Sequence, residues 1–485
     1  MEIPNAQHPG LISKSQTEEK ARFTTAISKI TPVVNLIKKM YGSSRLTKLI
    51  RTDYNTYKLT QTPAVILDNI KINHPLVKLL GDYVKKLESM GDSSKFFMIL
   101  VGFLIEETIK ILDKGVKATV LSNLIREVSE EIDSLDLSRD TGDIAGVLDS
   151  LIKEPVGRKL VLESILEVQS FSTEKIRICK IASGSLEESY VVRGMVFERE
   201  PEGLVKEKED CSTSIFNTSI DIPRGELKST IQMESADQLS SFSAEEVLRM
   251  KKKVEEISSE VIIFSGRIND IYLDLLDKAN KLVFKVLSKH DLRRLRELLG
   301  GSISQEFTST TTGRASRISV VSEGNKKYTK FISDNNTVCT IVLKHPLEYK
   351  LDELERSINK ALVALQKNVK NQNEKNIKVC SEDFEKKLCE IFENKAGDCL
   401  RMYSEGEGED SLEKHLVYES IANSFKGFES FKRSPGLEIF STKSRAICYA
   451  LEFVGTMYEI EDYLVGIPPK LNIKPQMNQH WDEDH

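Results

Sequence analysis

Met90-Gly91-Asp92-Ser93-Ser94-Lys95 runs directly into Phe96-Phe97-Met98-Ile99-Leu100-Val101, a tight polar turn at the mouth of a long apolar segment. Phe96, Phe97, Leu100, Val101, Leu104, Ile105, Thr108, Ile111 and Leu112 recur at helical spacing, which predicts a helix with one buried stripe. The unpaired N–H groups at its start point back toward Asp92. Two readings fit this turn. In one, Gly91 lets the backbone approach a ligand, the helix start donates to phosphate oxygens, and Asp92 holds a hard cation such as Mg²⁺. In the other, Asp92 is an ordinary N-cap. The rest of the chain has to decide between them.

The 485 residues exceed what a single hydrophobic core usually supports, so roughly two or three domains are expected. A hydrophobic content of 40% and a charged content of 29% belong to a soluble globular protein. A net charge of −5, from 69 basic and 74 acidic residues, gives no electrostatic reason to expect a nucleic-acid partner. No charged start followed by an apolar run opens the chain, and the longest apolar run, Phe96 to Ile105, stops at Glu106-Glu107, too short to span a bilayer. The expectation is a cytoplasmic protein with no membrane partner. Seven cysteines (Cys179, Cys211, Cys339, Cys380, Cys389, Cys399, Cys448) form no Cys-x-x-Cys pair, and the histidines are dispersed, which indicates neither a disulfide framework nor a zinc site.

From about Thr17 to Glu131 the pattern is mainly helical, broken at Tyr41-Gly42-Ser43-Ser44, Thr60-Gln61-Thr62-Pro63 and Met90-Gly91. Asp136 to Asp143 reads as a polar joint, and Ile144 to Val168 as further helix. The character changes at Ile176-Arg177-Ile178-Cys179-Lys180-Ile181, which alternates as a half-buried strand does, and Tyr190 to Phe197 reads as a second strand. Val261 to Gly266 and Leu282 to Leu287 read as strands, each followed by a helix, Asn269 to Asn280 and Asp291 to Leu299, which indicates a small α/β unit. Val338 to Leu343 is another strand, and after Leu351 long helices return. Lys370 to Lys378 reads as a solvated loop, and the Pro-containing tail from Gly466 as extended or mobile chain.

This order, with helical sequence at both ends and an α/β unit in the middle, resembles that of the group II chaperonins, double-ring folding machines of the cytosol. The resemblance covers nearly the whole chain. It is carried by His74-Pro75 followed by Met90-Gly91-Asp92, by Ile176-Arg177-Ile178-Cys179-Lys180 leading to Arg193-Gly194-Met195-Val196-Phe197, and by Thr340-Ile341-Val342-Leu343 leading to Glu355-Arg356. Asp291-Leu292-Arg293-Arg294-Leu295 and the terminal Trp481-Asp482-Glu483-Asp484 narrow it toward one subunit type. The resemblance implies a multidomain α+β chaperonin fold. A mostly helical equatorial domain would take residues 1–139 and 366–485, a small mixed intermediate domain 140–195 and 335–365, and an α/β apical domain 196–334.

The resemblance also implies an ATP/ADP site with Mg²⁺ in the equatorial domain. A Gly-Asp-Gly-Thr turn of the family corresponds to Gly91-Asp92-Ser93-Ser94, so Asp92 keeps the metal-binding place, Ser93 replaces a glycine, and Lys95 brings an added charge. A Gly-Pro-x-Gly turn corresponds to Gly42-Ser43-Ser44-Arg45, where Arg45 stands to crowd the pocket, and Glu438 takes the acidic place of a nucleotide-contacting string near the end. Hydrolysis needs a positioned water beside the γ-phosphate. The family's two hydrolytic aspartates correspond to Thr62 and Lys360, so a weak or inactive ATPase that still binds nucleotide is expected. A shifted alignment would instead bring in Asp53, Asp68 or Asp352, and Val379-Cys380-Ser381 falls where a glycine triplet shapes the adenine side.

Implied partners are paralogous subunits of a hetero-oligomeric ring and unfolded clients such as actin and tubulin. Client contacts would fall on the apical helix from Asn269 to Asn280, with Tyr272, Asp274, Leu275 and Lys278 as candidates, and Ser240 to Glu260 takes the place of a helical protrusion. Two other classes compete: a free-standing ATPase or kinase, disfavoured by the absence of a Gly-x-x-x-x-Gly-Lys-Ser loop, and a non-catalytic scaffold with the same fold.

Overall fold

The computed structural model describes residues 16–42, 45–51, 56–70, 74–135, 138–221, 236–308, 311–368, 377–380, 383–406, 410–431 and 437–460. One core collects buried residues from Ile30 to Ile132 and again from Cys380 to Tyr458. Its axis is the helix Ser94–Asp113, predicted with one buried stripe but buried on every side from Phe96 to Gly102. The helices Gln16–Lys38, Ser411–Phe431 and Phe440–Glu459 surround it, which explains the unbroken apolar run. Phe96 meets Phe428 edge-on at 4.8 Å between ring centroids. No helix among the described residues is long and apolar enough to cross a membrane.

A second core takes Val147 to Ile176 together with Cys339 to Val379. Here the strands Ile176–Ile181 and Cys339–Lys344 run parallel, and Tyr190–Val192 adds an antiparallel edge. The helices Pro155–Val168 and Glu348–Asn368 pack on this sheet. Beyond it lies a seven-stranded sheet in the order Gly194–Phe197, Lys326–Ile332, Gly313–Glu323, Lys208–Phe216, Val261–Phe264, Leu282–Lys285, with Ile303–Ser304 beside Lys208–Phe216. Alternate residues of its central strands feed opposite cores: Val261 and Ile263 face one, Ile262 and Phe264 the other. Burial on both faces makes such strands continuous apolar runs.

The structure corrects four sequence expectations. Tyr190 to Phe197 is two strands in two sheets, divided at Gly194, whose φ of 140° and a Phe331 carbonyl 1.9 Å from where a Cβ would sit leave no room for a side chain. The polar joint contains a strand, Ser138–Gly142, pinned antiparallel to Ile377–Cys380. That pairing also draws the end of the expected 370–378 loop into a strand and buries Ile377. Within the helical start, Lys48–Arg51 and Tyr57–Thr60 form a hairpin. The tail from Gly466 lies outside the described residues.

Candidate functional site

The helix Pro75–Met90 ends on Gly91 (φ 99°), and after Asp92 the chain turns again at Ser93 (φ 67°) before Ser94–Asp113 begins. A left-handed serine is uncommon, so the backbone keeps a shape that glycine favours. Ser93 hydroxyl donates to Thr442 Oγ1 at 3.3 Å. Asp92 is therefore not the N-cap; Ser93 is, and its side chain makes no capping bond. Gly91 lines the cleft and also serves packing. A Cβ there would sit 2.6 Å from the Lys360 carbonyl and 2.7 Å from Ala364 Cβ, so the missing side chain lets the turn lie against the helix Glu348–Asn368.

Around this turn the structure forms one cleft, lined by Gly42, Arg45, Thr62, Glu88, Gly91 to Lys95, Ser150, Glu353, Ser357, Lys360 and Glu438 among others. Ser43 lies outside the described residues. Thr62 and Lys360, 298 positions apart, meet directly: Lys360 Nζ donates to Thr62 Oγ1 at 3.1 Å and lies 3.3 Å from Glu88 Oε1. Asp68 pairs instead with Lys85 at 2.7 Å and Asp352 with Lys180 at 2.6 Å; neither lines the cleft, and Asp53 lies outside the described residues. Val379 and Cys380 are buried in the strand pair behind the cleft, not in its wall, and Ser381 is outside the described residues.

Three carboxylates of the cleft are committed. Glu88 Oε1 accepts the Ala64 N–H at 2.9 Å besides facing Lys360. Glu353 Oε1 accepts the Gln61 N–H at 2.6 Å and its Oε2 lies 3.4 Å from Arg356. Glu438 accepts from Tyr41 hydroxyl at 2.7 Å and from the buried Lys443, which also bonds Glu385. Asp92 has no such partner lysine. Burial, then the Glu438 charge, raises its pKa to about 6, against a Ser93 N–H bond and the Lys95 and Lys443 charges.

The cations show the reverse. Burial lowers Lys95 to about 8, helped by Lys360 and Arg45 and opposed by Asp92 and Glu353. Burial also lowers Lys360, against Glu88 and Glu353, and lowers Arg45, with Arg158 adding to the effect. Three positive groups thus share one space with Glu88, Asp92, Glu353 and Glu438, beside the open start of a long helix. That set fits a multiply charged phosphate. For a divalent cation Asp92 is the carboxylate left available, with the Glu438 charge beside it and the Lys95 and Lys443 charges opposing. Among the described residues, no group of three or more His, Cys, Asp or Glu side chains could hold a metal ion.

Glu88 and Glu353 were not expected from sequence. Glu353 lies seven positions before Lys360, two helical turns along the same face, and Glu88 sits in the last turn before Gly91, so both carried a positional signal.

On the distant helix Asp270–Lys278, Tyr272 does not offer surface. It is 2% exposed and packs edge-on to Phe307. Asp274 and Lys278 are exposed and paired at 2.6 Å, Leu275 is half-buried, and Ile271 is exposed. The helix Ala236–Glu256 ends short of Glu260; Leu248 is exposed, while Met250, Val254 and Ile257 are core.

Comparison with known proteins gives a consistent picture. The model of the TCP-1/cpn60 chaperonin family matches residues 33–373. The sequence is 43% identical to T-complex protein 1 subunit theta of Encephalitozoon cuniculi, over the whole of both chains. It is 25% identical to a probable T-complex protein 1 subunit theta of Schizosaccharomyces pombe, again over the whole of both. It is also 25% identical to T-complex protein 1 subunit theta of Saccharomyces cerevisiae, over 75% of this chain and 72% of that one.

Proposed function

Since the chain belongs to the TCP-1/cpn60 chaperonin family, we propose that it is a theta-like subunit of the cytosolic ATP-dependent chaperonin double ring, assembled with paralogous subunits and assisting clients such as actin and tubulin. An equatorial domain over 1–139 and 366–485 would take the first core, an intermediate domain over 140–195 and 335–365 most of the second, whose Ile377, Val379 and Ile439 fall outside those bounds, and an apical domain over 196–334 most of the seven-stranded sheet, whose strand Gly194–Phe197 begins before it. Asp274, Leu275 and Lys278 remain the apical candidates for client contact.

In this reading the cleft holds ATP or ADP and hydrolyses little or none. Lys95, Lys360, Arg45 and the N-terminal turn of Ser94–Asp113 face the phosphates, and Asp92 is the carboxylate open to Mg²⁺. A nucleotide supplies the scissile phosphoanhydride; the chain's own part is to bind and orient it. The observation that carries the reading is the Lys360–Thr62 contact at 3.1 Å. An ammonium bonded to a hydroxyl stands where a carboxylate would orient water, and Glu88 and Glu353 beside it are held by backbone N–H groups.

The test is ATP hydrolysis by an assembled particle whose other subunits are hydrolytically disabled. The expected rate per remaining site is lower than that of an intact subunit by about a hundredfold or more. A comparable rate overturns the reading. Native mass separates it from a lone scaffold or ATPase, which would run near 54.9 kDa rather than with a megadalton particle.

A further inference from the structure

The cleft lies between the first core and the second, and the chain's own side chains bridge it. The helices Ile144–Leu151 and Glu348–Asn368 carry residues of the second core, and Pro63–Asn69 and Pro75–Met90 residues of the first. Lys360 reaches from the second to the first, donating to Thr62 Oγ1 at 3.1 Å and lying 3.3 Å from Glu88 Oε1. Glu353, on the same helix, accepts the Gln61 N–H at 2.6 Å. Two further contacts flank these. Arg45 donates to the Asp149 carbonyl at 2.7 Å, in the last turn of Ile144–Leu151, and Lys367 to the Ser89 carbonyl at 2.6 Å, in the last turn of Pro75–Met90. Hydrogen bonds with a charged partner are the stronger ones. Gly91 lets the helix come close enough to make them, with the Lys360 carbonyl 2.6 Å from where its Cβ would sit. The chain passes between the cores along one antiparallel pair of strands, Ser138–Gly142 and Ile377–Cys380, and the bonds across the cleft tie this narrow joint shut.

A ligand closes two parts about itself only through contacts that it makes in the closed state and not in the open one. Where side chains already supply such contacts, the closed state is populated beforehand and a ligand has less to shift. Resting on the nucleotide reading above for the occupant of the cleft, we infer that Lys360 and Glu353 latch the second core onto the first without nucleotide, so that this subunit stays closed instead of closing in response to its ligand. The Lys360 ammonium spends donors on Thr62 and Glu88 and keeps one for an occupant of the cleft, so the latch and the ligand are compatible. The inference concerns the closure of the cleft alone, and its readout is independent of hydrolysis.

The Gln61 amide reports the latch directly, because its acceptor lies on the other core. The experiment is hydrogen exchange of the assembled particle, read at Gln61 by mass spectrometry with residue-level fragmentation, after nucleotide removal with apyrase and EDTA and again in saturating Mg²⁺ and AMP-PNP. Without nucleotide the amide is expected to exchange at least about a hundredfold more slowly than in the unfolded chain, and AMP-PNP should change its rate by less than about threefold. Lys360→Met is expected to speed its exchange in the nucleotide-free particle by about fivefold or more. Amides of the helix Ser94–Asp113 are the internal standard and should stay as protected in the variant as in the parent. Exchange near the unfolded rate without nucleotide, slowed by AMP-PNP, overturns the inference and leaves the nucleotide reading standing. So does a variant with that helix intact whose Gln61 exchanges like the parent's. If 8-azido-ATP leaves this chain unlabelled while Gln61 is protected, the nucleotide reading falls and the latch between the cores stands. The parent-chain measurement needs no variant to fold.

Discussion

Two lysines, Lys443 buried and Lys95 half-buried, act on Asp92 from different surroundings, and they differ in what the chain provides for them. Lys443 is 1% exposed, bonds Glu385 and Glu438, and lies over the rings of Phe96 and Phe384 at 4.9 and 5.2 Å. Burial lowers its pKa, but the two carboxylates more than offset this and hold it above the usual lysine value. Lys95 has the burial without the partners, and its pKa falls to about 8. The first lysine closes a network of the core; the second leaves charge facing the cleft. Two helices, Ser94–Asp113 and Phe440–Glu459, thus bring a ligand-directed cation and a structural one near Asp92, and their partners tell them apart.

The largest effect expected from this contrast is at Lys443. Lys443→Met leaves Glu385 in the core and Glu438 at the cleft wall without their cation, and should lower unfolding stability by about 3–5 kcal/mol. Denaturant unfolding of the full chain measures it. A loss below about 1 kcal/mol would make the two lysines equivalent and break the comparison.

The turn that separates the two environments gives a smaller effect. Gly91→Ala places a Cβ 2.6 Å from a backbone carbonyl at a φ of 99°, and should destabilise by about 2–3 kcal/mol. Gly115 has a φ of 96° but nothing within 4 Å of its missing Cβ, so Gly115→Ala should show the conformational strain alone, about 1–2 kcal/mol. The difference between the two variants in thermal unfolding isolates the contact with Lys360 and Ala364. Equal losses would show that this helix yields to the turn.

Much of the fold was legible because local periodicity reports it. Ile176 to Ile181 alternates and is a strand; the apolar run after Lys95 is a helix; Val261 to Gly266 and Leu282 to Leu287 read as strands and contain the strands Val261–Phe264 and Leu282–Lys285. What sequence could not show is partnership. Nothing local divides Tyr190–Val192 from Gly194–Phe197, because the division comes from Phe331, more than a hundred positions away, and the strand at Ser138–Gly142 exists through Ile377–Cys380. In the site, Thr62 and Lys360 were named separately through the family resemblance, but their contact is a tertiary fact. Tyr272 is the instructive error: Tyr272 and Leu276 are four apart, the spacing of a buried stripe, and both are core.

The smallest stability effect is the one that most sharpens the comparison. Lys95→Met removes a desolvated cation and strands no ion-pair partner, so at pH 7 stability should change by no more than about 1 kcal/mol and in the favourable direction. The pH dependence gives the sign a second check. Lys95 titrates at about 8 in the folded chain against 10.5 in its ordinary state, so the unfolded chain holds more of this proton between those values. Stability attributable to Lys95 therefore rises with pH through that window, and its penalty is fully present below about pH 8. Asp92 and Glu353 face the ammonium and oppose the shift, while Lys360 and Arg45 reinforce it. Other groups titrate in the same range, with burial raising Cys179 and Cys211 to about 11, so the parent chain's own profile mixes several contributions. The difference between the parent and Lys95→Met cancels them: the variant should be the more stable at pH 7, and its advantage should shrink as pH climbs from 8 toward 10.5. An advantage that grows with pH, or a variant that loses several kcal/mol as Lys443→Met does, would place Lys95 among the structural cations after all.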